Sequence, residues 1–119
     1  MARLLFFAEA TRVGVAMGAR PDTFAGLACV GDLLAAVAGE PRPEMEAGRR
    51  LAEGVSTADA VSDSPVRIEG HTVALRVAEL ADRMRIDTPI ASVMAALLSG
   101  KTSPEEAVRQ LMERRVGHE

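Results

Sequence analysis

Three prolines set the frame of this chain. Pro43, Pro89 and Pro104 each stand just ahead of a run whose apolar residues recur every three or four positions, and Gly18, Gly54 and Gly100 close such runs. Proline is tolerated in a first helical turn, where its missing N–H has no partner to lose, and glycine ends helices because it adopts left-handed backbone freely. Punctuation of this kind reads as consecutive helices. No segment alternates apolar and polar residues with a period of two, so no strand is predicted.

The first helix is predicted from Ala2 to about Met17, with Leu4, Ala8, Thr11 and Val15 on one face and Arg3, Glu9 and Arg12 pointing outward. The run "LLFF" makes it apolar nearly all round, and such a helix is normally enclosed, by its own domain or by a partner. A second helical region spans Ala28 to Ala38, and a third begins at about Pro43 and stops at Gly54. "STADAV" (56–61) starts with a capping serine, and "SDSPVRIEG" (62–70) is the least regular segment. Val73, Val77, Leu80 and Met84 then mark an amphipathic helix, followed by one from Pro89 to Gly100. In the last, Ser103 is the N-cap, Glu106 takes the capping-box place, and Ala107, Val108, Leu111 and Met112 form the buried side. The methionines read as core filler. The class is therefore all-α, with five to seven helices in one compact bundle, and 119 residues make a single domain over 1–119.

Composition narrows the function classes. A net charge of −3 leaves no basic face for a phosphate backbone, so nucleic acid is not an expected partner. Cys29 is the only cysteine and His71 and His118 the only histidines, which excludes a disulfide framework and leaves no zinc-ligand cluster. Glu9 interrupts the first apolar run before it reaches signal-peptide or membrane length, so the expected setting is the cytoplasm.

One residue draws attention as a candidate site. "FAGLACVGDLLAAVAG", Phe24 to Gly39, carries a single charge, Asp32. An ionised carboxylate is costly to bury without partners, so Asp32 sits either at a helix start, held by amides, or in a site that uses it. Arg42, Arg49 and Arg50 form either an anion site or a solvated cluster neutralised by Glu40, Glu44 and Glu46. His71, beside a helix start, reads as a surface or capping residue.

In order along the chain, "AEATRVGVAMGARPDTFAGLACVGDLL", "RRLAEGVSTADAV", "IEGHTVALRVAELADRMRIDTPI" and "LLSGKTSPEEAVRQLMER" resemble the C-terminal half of bacterial NAD(P)-dependent glycerol-3-phosphate dehydrogenase. The resemblance covers nearly the whole chain. It implies the helical substrate domain of the glycerol-3-phosphate and 6-phosphogluconate dehydrogenases, which in the family follows a Rossmann domain that holds the nicotinamide cofactor. No G-x-G-x-x-G following a strand is found here, and the length leaves no room for a dinucleotide unit.

Carried over residue by residue, the resemblance implies a substrate-site acid at Asp32, in "CVGDLL", and substrate binding at Arg42. The family's phosphate-gripping Ser-Arg-Asn trio falls on Arg42, Pro43 and Glu44, so its arginine and asparagine are replaced, and a glutamate repels a phosphate. Glu69 in "IEG" matches a cofactor-contacting glutamate and Arg67 the position two before it. An Arg-Gly pair is replaced by Leu5 and Phe6. The family's catalytic lysine falls upstream of Met1, so no catalytic residue is assigned.

These substitutions imply a stand-alone homologue without dehydrogenase activity by itself, which self-associates as a dimer or binds a partner. The alternative is the substrate-domain piece of a split enzyme completed by a separate Rossmann-domain protein. NAD(P) is expected only if such a partner brings its site, and a phosphorylated small molecule is a further candidate ligand.

Overall fold

The computed structural model describes residues 2–39 and 42–114, with side chains from Phe6 onward. Among these, eight α-helices follow one another without a strand: α1 Ala2–Ala16, α2 Pro21–Ala25, α3 Asp32–Ala38, α4 Pro43–Ala52, α5 Thr57–Ser62, α6 Gly70–Met84, α7 Pro89–Leu98 and α8 Pro104–Glu113. A π-turn at Leu27–Gly31 leads into α3. The helical class agrees with the sequence; the count exceeds the expected five to seven. One reason is that "PDTFA" (21–25) winds into a helix of its own, with Pro21 in the first turn and the acid Asp22 at the positive end of the helix dipole.

The ends are local. Gly18, Gly54 and Gly100 take positive φ values of 95°, 91° and 72°, and Arg85 does the same work at the end of α6 with φ 55°. Ser56 accepts the Asp59 N–H at 3.1 Å and Ser103 accepts the Glu106 N–H at 3.2 Å, capping α5 and α8.

Between helices, small residues dominate. The most extensive pairing is α6 on α7; α8 packs on α7, α4 on α5, and α1 joins α6 and α7 while holding α2. The buried apolar residues among those described are Ala47, Ala60, Ile68, Ala81, Pro89, Ala91 and Ala107. Leu51, Val55 and Val61 pack around the first three. Alanine at these contacts lets helix axes approach closely.

Several larger residues assigned inward by periodicity lie outward. Val73 and Met84 on α6 and Val108 and Met112 on α8 are exposed, as are Met17 and Met45, and Met94 alone among the described methionines is half-buried. For Met17, Val73 and Val108 the physical reason is an open apolar groove of about 870 Å³, which they line together with residues of α1, α4, α6, α7 and α8. Faces turned toward it lack a neighbour to cover them. The accessible surface, 8075 Å², exceeds the roughly 6,200 Å² that size scaling gives for a folded chain of this mass. The radius of gyration, 14.6 Å, likewise exceeds the roughly 13.5 Å of a close-packed domain of this length.

Candidate functional site

Asp32 opens α3, but its helix has no free N-terminus to offer it. Gly31 already has helical dihedrals (φ −62°, ψ −44°), so the backbone runs through from the π-turn, and the Asp32 N–H is itself spent on the Cys29 carbonyl. The side chain is exposed and makes no hydrogen bond or ion pair with the described residues. Of the two readings left by the sequence, capping by amides does not describe it. Around Asp32 the segment is apolar and open, with Leu27 90% exposed and Leu34 and Val37 also on the surface.

The segment is fastened to the bundle through α2. Phe24 lays its ring against Gly14 of α1, so closely that a Cβ at that glycine would overlap the ring. Glycine is therefore required there by space.

Arg42 occupies the N-cap position of α4, exposed, at the mouth of an open cleft of about 530 Å³ lined also by Glu46, Arg50, Asp63 and Pro65. Most of its charge is already matched. Arg50 pairs with Asp63 at 2.9 Å and donates to the Asp59 carbonyl at 3.3 Å. Arg49 is held by Glu46 at 2.6 Å and by Glu53, which keeps the Glu46 carboxyl below the usual carboxylate range and raises Arg49. This is the solvated-cluster arrangement, with Arg42 left facing water; Glu40 lies outside the described residues, as does His118.

Arg67 and Glu69 are both exposed on the segment entering α6, and Glu69 makes no side-chain cap there. Neither lines either of the two principal cavities, nor does Asp32, so the four sequence-derived candidates are not gathered into one pocket. His71 is half-buried; its Nδ1 lies 2.9 Å from the Ile68 carbonyl in the first turn of α6, a local fastening. No group of three or more potential metal ligands occurs among the described residues, and none of the helices described there is long and apolar enough to cross a membrane.

The polar centre that the sequence reading missed is Glu9. Expected on the outside, it is 6% exposed, and its two carboxylate oxygens accept the N–H groups of Ile90 at 2.7 Å and Ala91 at 2.8 Å. These are the first free amides of α7. Pro89 has no N–H, Thr88 supplies no side-chain cap, and α7 carries no acid in its first turn. A carboxylate from α1 therefore does what a local cap does elsewhere. Burial raises the Glu9 carboxyl, partly offset by the two amides. Three residues on, Arg12 donates to the Asp87 carbonyl at 2.8 Å, while Arg114 reaches the Asp87 carboxylate at 2.6 Å. Two sequence signals, taken together, point to this contact: an acid on a helix apolar all round, and a proline-led helix without an acid of its own.

With no strand among the described residues there is no strand–turn–helix cradle for a pyrophosphate. The sole lysine of the sequence, Lys101, is exposed just past α7.

Comparison with known proteins matches residues 3–109 to the family described as NAD-dependent glycerol-3-phosphate dehydrogenase C-terminus. Among similar proteins, the glycerol-3-phosphate dehydrogenase [NAD(P)+] of Polaromonas sp. is 42% identical over 107 residues, 90% of this chain and 30% of that protein. Those of Oleidesulfovibrio alaskensis and Synechococcus elongatus are 38% and 41% identical, over 94% and 90% of this chain and 34% and 35% of their own lengths. The chain thus spans about a third of the length of the curated relatives it matches. No solved structure matches it.

Proposed function

The chain belongs to the family of the C-terminal domain of NAD-dependent glycerol-3-phosphate dehydrogenase, and from that membership we propose that it serves as an association module with no dehydrogenase activity of its own. Hydride transfer needs a held nicotinamide and a base at the substrate alcohol, both positioned by the protein. The residues here do not meet that need: the phosphate-gripping positions hold Pro43 and Glu44, and Arg67 and Glu69 stand apart on an exposed segment.

The observation that supports the reading is the apolar groove that the described residues leave open. Apolar area on that scale is covered by association. The module pairs with a second copy as a dimer or with a Rossmann-domain protein, and its setting is the cytoplasm. The test is direct. Purified chain with glycerol 3-phosphate and NAD(P)+ gives no reduced cofactor, and sedimentation shows a species heavier than 12.6 kDa, alone or with a Rossmann-domain protein. Turnover by the chain alone, or a strict monomer in every mixture, overturns it.

A second reading is favoured by Asp32, presented to solvent with no internal partner. There the chain supplies the substrate side, Asp32 and Arg42, of a split dehydrogenase acting on a phosphorylated small molecule, with NAD(P) and the lysine brought by a separate Rossmann protein. Activity appearing only on mixing supports it.

A further inference from the structure

We propose that Ser64 is a phosphorylation site whose phosphoryl group docks between Arg42 and Arg50 and fastens the segment entering α6 to the start of α4. None of these three residues lines the apolar groove.

Residues 63–69, between α5 and α6, are the longest stretch without helix among the described residues. Asp63, Pro65, Val66 and Arg67 are exposed around a half-buried Ser64, and a proline biases the residue before it toward extended backbone. The Ser64 hydroxyl accepts the Val66 N–H at 3.4 Å, and the Ser64 N–H reaches the Val61 carbonyl at 3.4 Å. Both are long for hydrogen bonds, so little has to break when an enzyme takes up this segment. The other serines are committed to helices. Ser56 and Ser103 cap α5 and α8 with their hydroxyls, Ser62 and Ser92 belong to α5 and α7, and Ser99 closes α7.

A receiving site stands beside the hydroxyl. Ser64 lines the open cleft of about 530 Å³ together with Arg42 and Arg50. The Arg42 side chain has no hydrogen bond or ion pair with the described residues. Glu46, in the same cleft, gives both oxygens to Arg49, which does not line it. Asp63 pairs with Arg50, whose side chain is 25% exposed. A phosphoserine carries close to two negative charges and three strong acceptor oxygens. Arg42 answers one charge; Arg50 answers the other by turning from Asp63, which is exposed and keeps its water.

In the step itself, the Ser64 oxygen bonds to the terminal phosphorus of a nucleoside triphosphate held by a protein kinase. The bond from that phosphorus to its bridging oxygen breaks, and the nucleoside diphosphate leaves. The hydroxyl proton passes to the kinase's base and on to water.

Two measurements test the site. In full-length chain isolated from the cells that make it, peptide mass spectrometry across growth phases finds a phosphoryl group on Ser64; its absence there in every phase overturns the proposal. Docking is read on the full chain with phosphoserine encoded at position 64. Its thermal midpoint rises by about 4 °C or more over the unmodified chain, and Arg42→Ala abolishes the rise, whereas Arg67→Ala, outside the cleft, leaves it. Guanidinium partners favour the dianion, so phosphorus NMR shows the phosphate titrating below its usual value of about 6, and Arg42→Ala restores that value. A midpoint or titration that the phosphate leaves unmoved, or that Arg42→Ala does not change, overturns the docking and the proposal with it.

Discussion

Glu9 caps Ala91. A carboxylate on α1 accepts, at 2.8 Å, an amide 82 residues further along the chain, and its second oxygen takes the neighbouring amide of Ile90. One side chain thus closes the α1–α7 contact and satisfies the start of α7. Removing it in Glu9→Ala leaves buried N–H groups without acceptors and lowers unfolding free energy by about 1–3 kcal/mol, measured by urea denaturation.

The same carboxyl gives a signed pH dependence. Burial raises its pKa above 4.5 in the fold. Between 4.5 and the raised value the folded chain therefore holds more protons than the unfolded one, so the Glu9 contribution is fully present below this window and declines as pH rises through it. Denaturation midpoints of Glu9→Gln, which keeps one acceptor and cannot ionise, lack that component. An identical pH profile in the two proteins contradicts the assignment.

Gly14 and Phe24 form a second dependent pair. Gly14→Ala improves helix propensity by up to about 1 kcal/mol, yet it drives a methyl into the Phe24 ring and lowers stability by about 1–3 kcal/mol net. In the double variant with Phe24→Ala the Gly14 penalty disappears, a coupling that a double-mutant cycle reads directly.

Arg85 ends α6 in left-handed backbone, at φ 55°. Glycine adopts that conformation without the Cβ clash, and after the entropy it adds to the unfolded chain Arg85→Gly gains about 0.5–1 kcal/mol. Thermal denaturation shows the gain as a raised midpoint.

The two serine caps act locally and independently. Ser56→Ala and Ser103→Ala each lower stability by about 1 kcal/mol, and the double variant shows the sum, since the caps belong to different helices.

Much of the fold was legible beforehand because helix ends are written in a few adjacent residues. Pro43, Pro89 and Pro104 open α4, α7 and α8 where their positions said they would, and Ser56 and Ser103 cap as expected. The candidate site was less legible. Asp32, Arg42, Arg67 and Glu69 all proved exposed, and periodicity placed Val108 and Met112 inside when both are exposed, Val108 on the open groove.

The sequence by itself determined the helical class, most helix boundaries and the family, because each is carried by hydrogen bonding within one turn or by an ordered series of residue types. Only the tertiary structure decided what is inside. Burial depends on what a face meets, and those partners lie far away along the chain: Glu9 is interior because two amides of α7 wait for it, and Val108 is exterior because it lines a groove that none of the described residues fills.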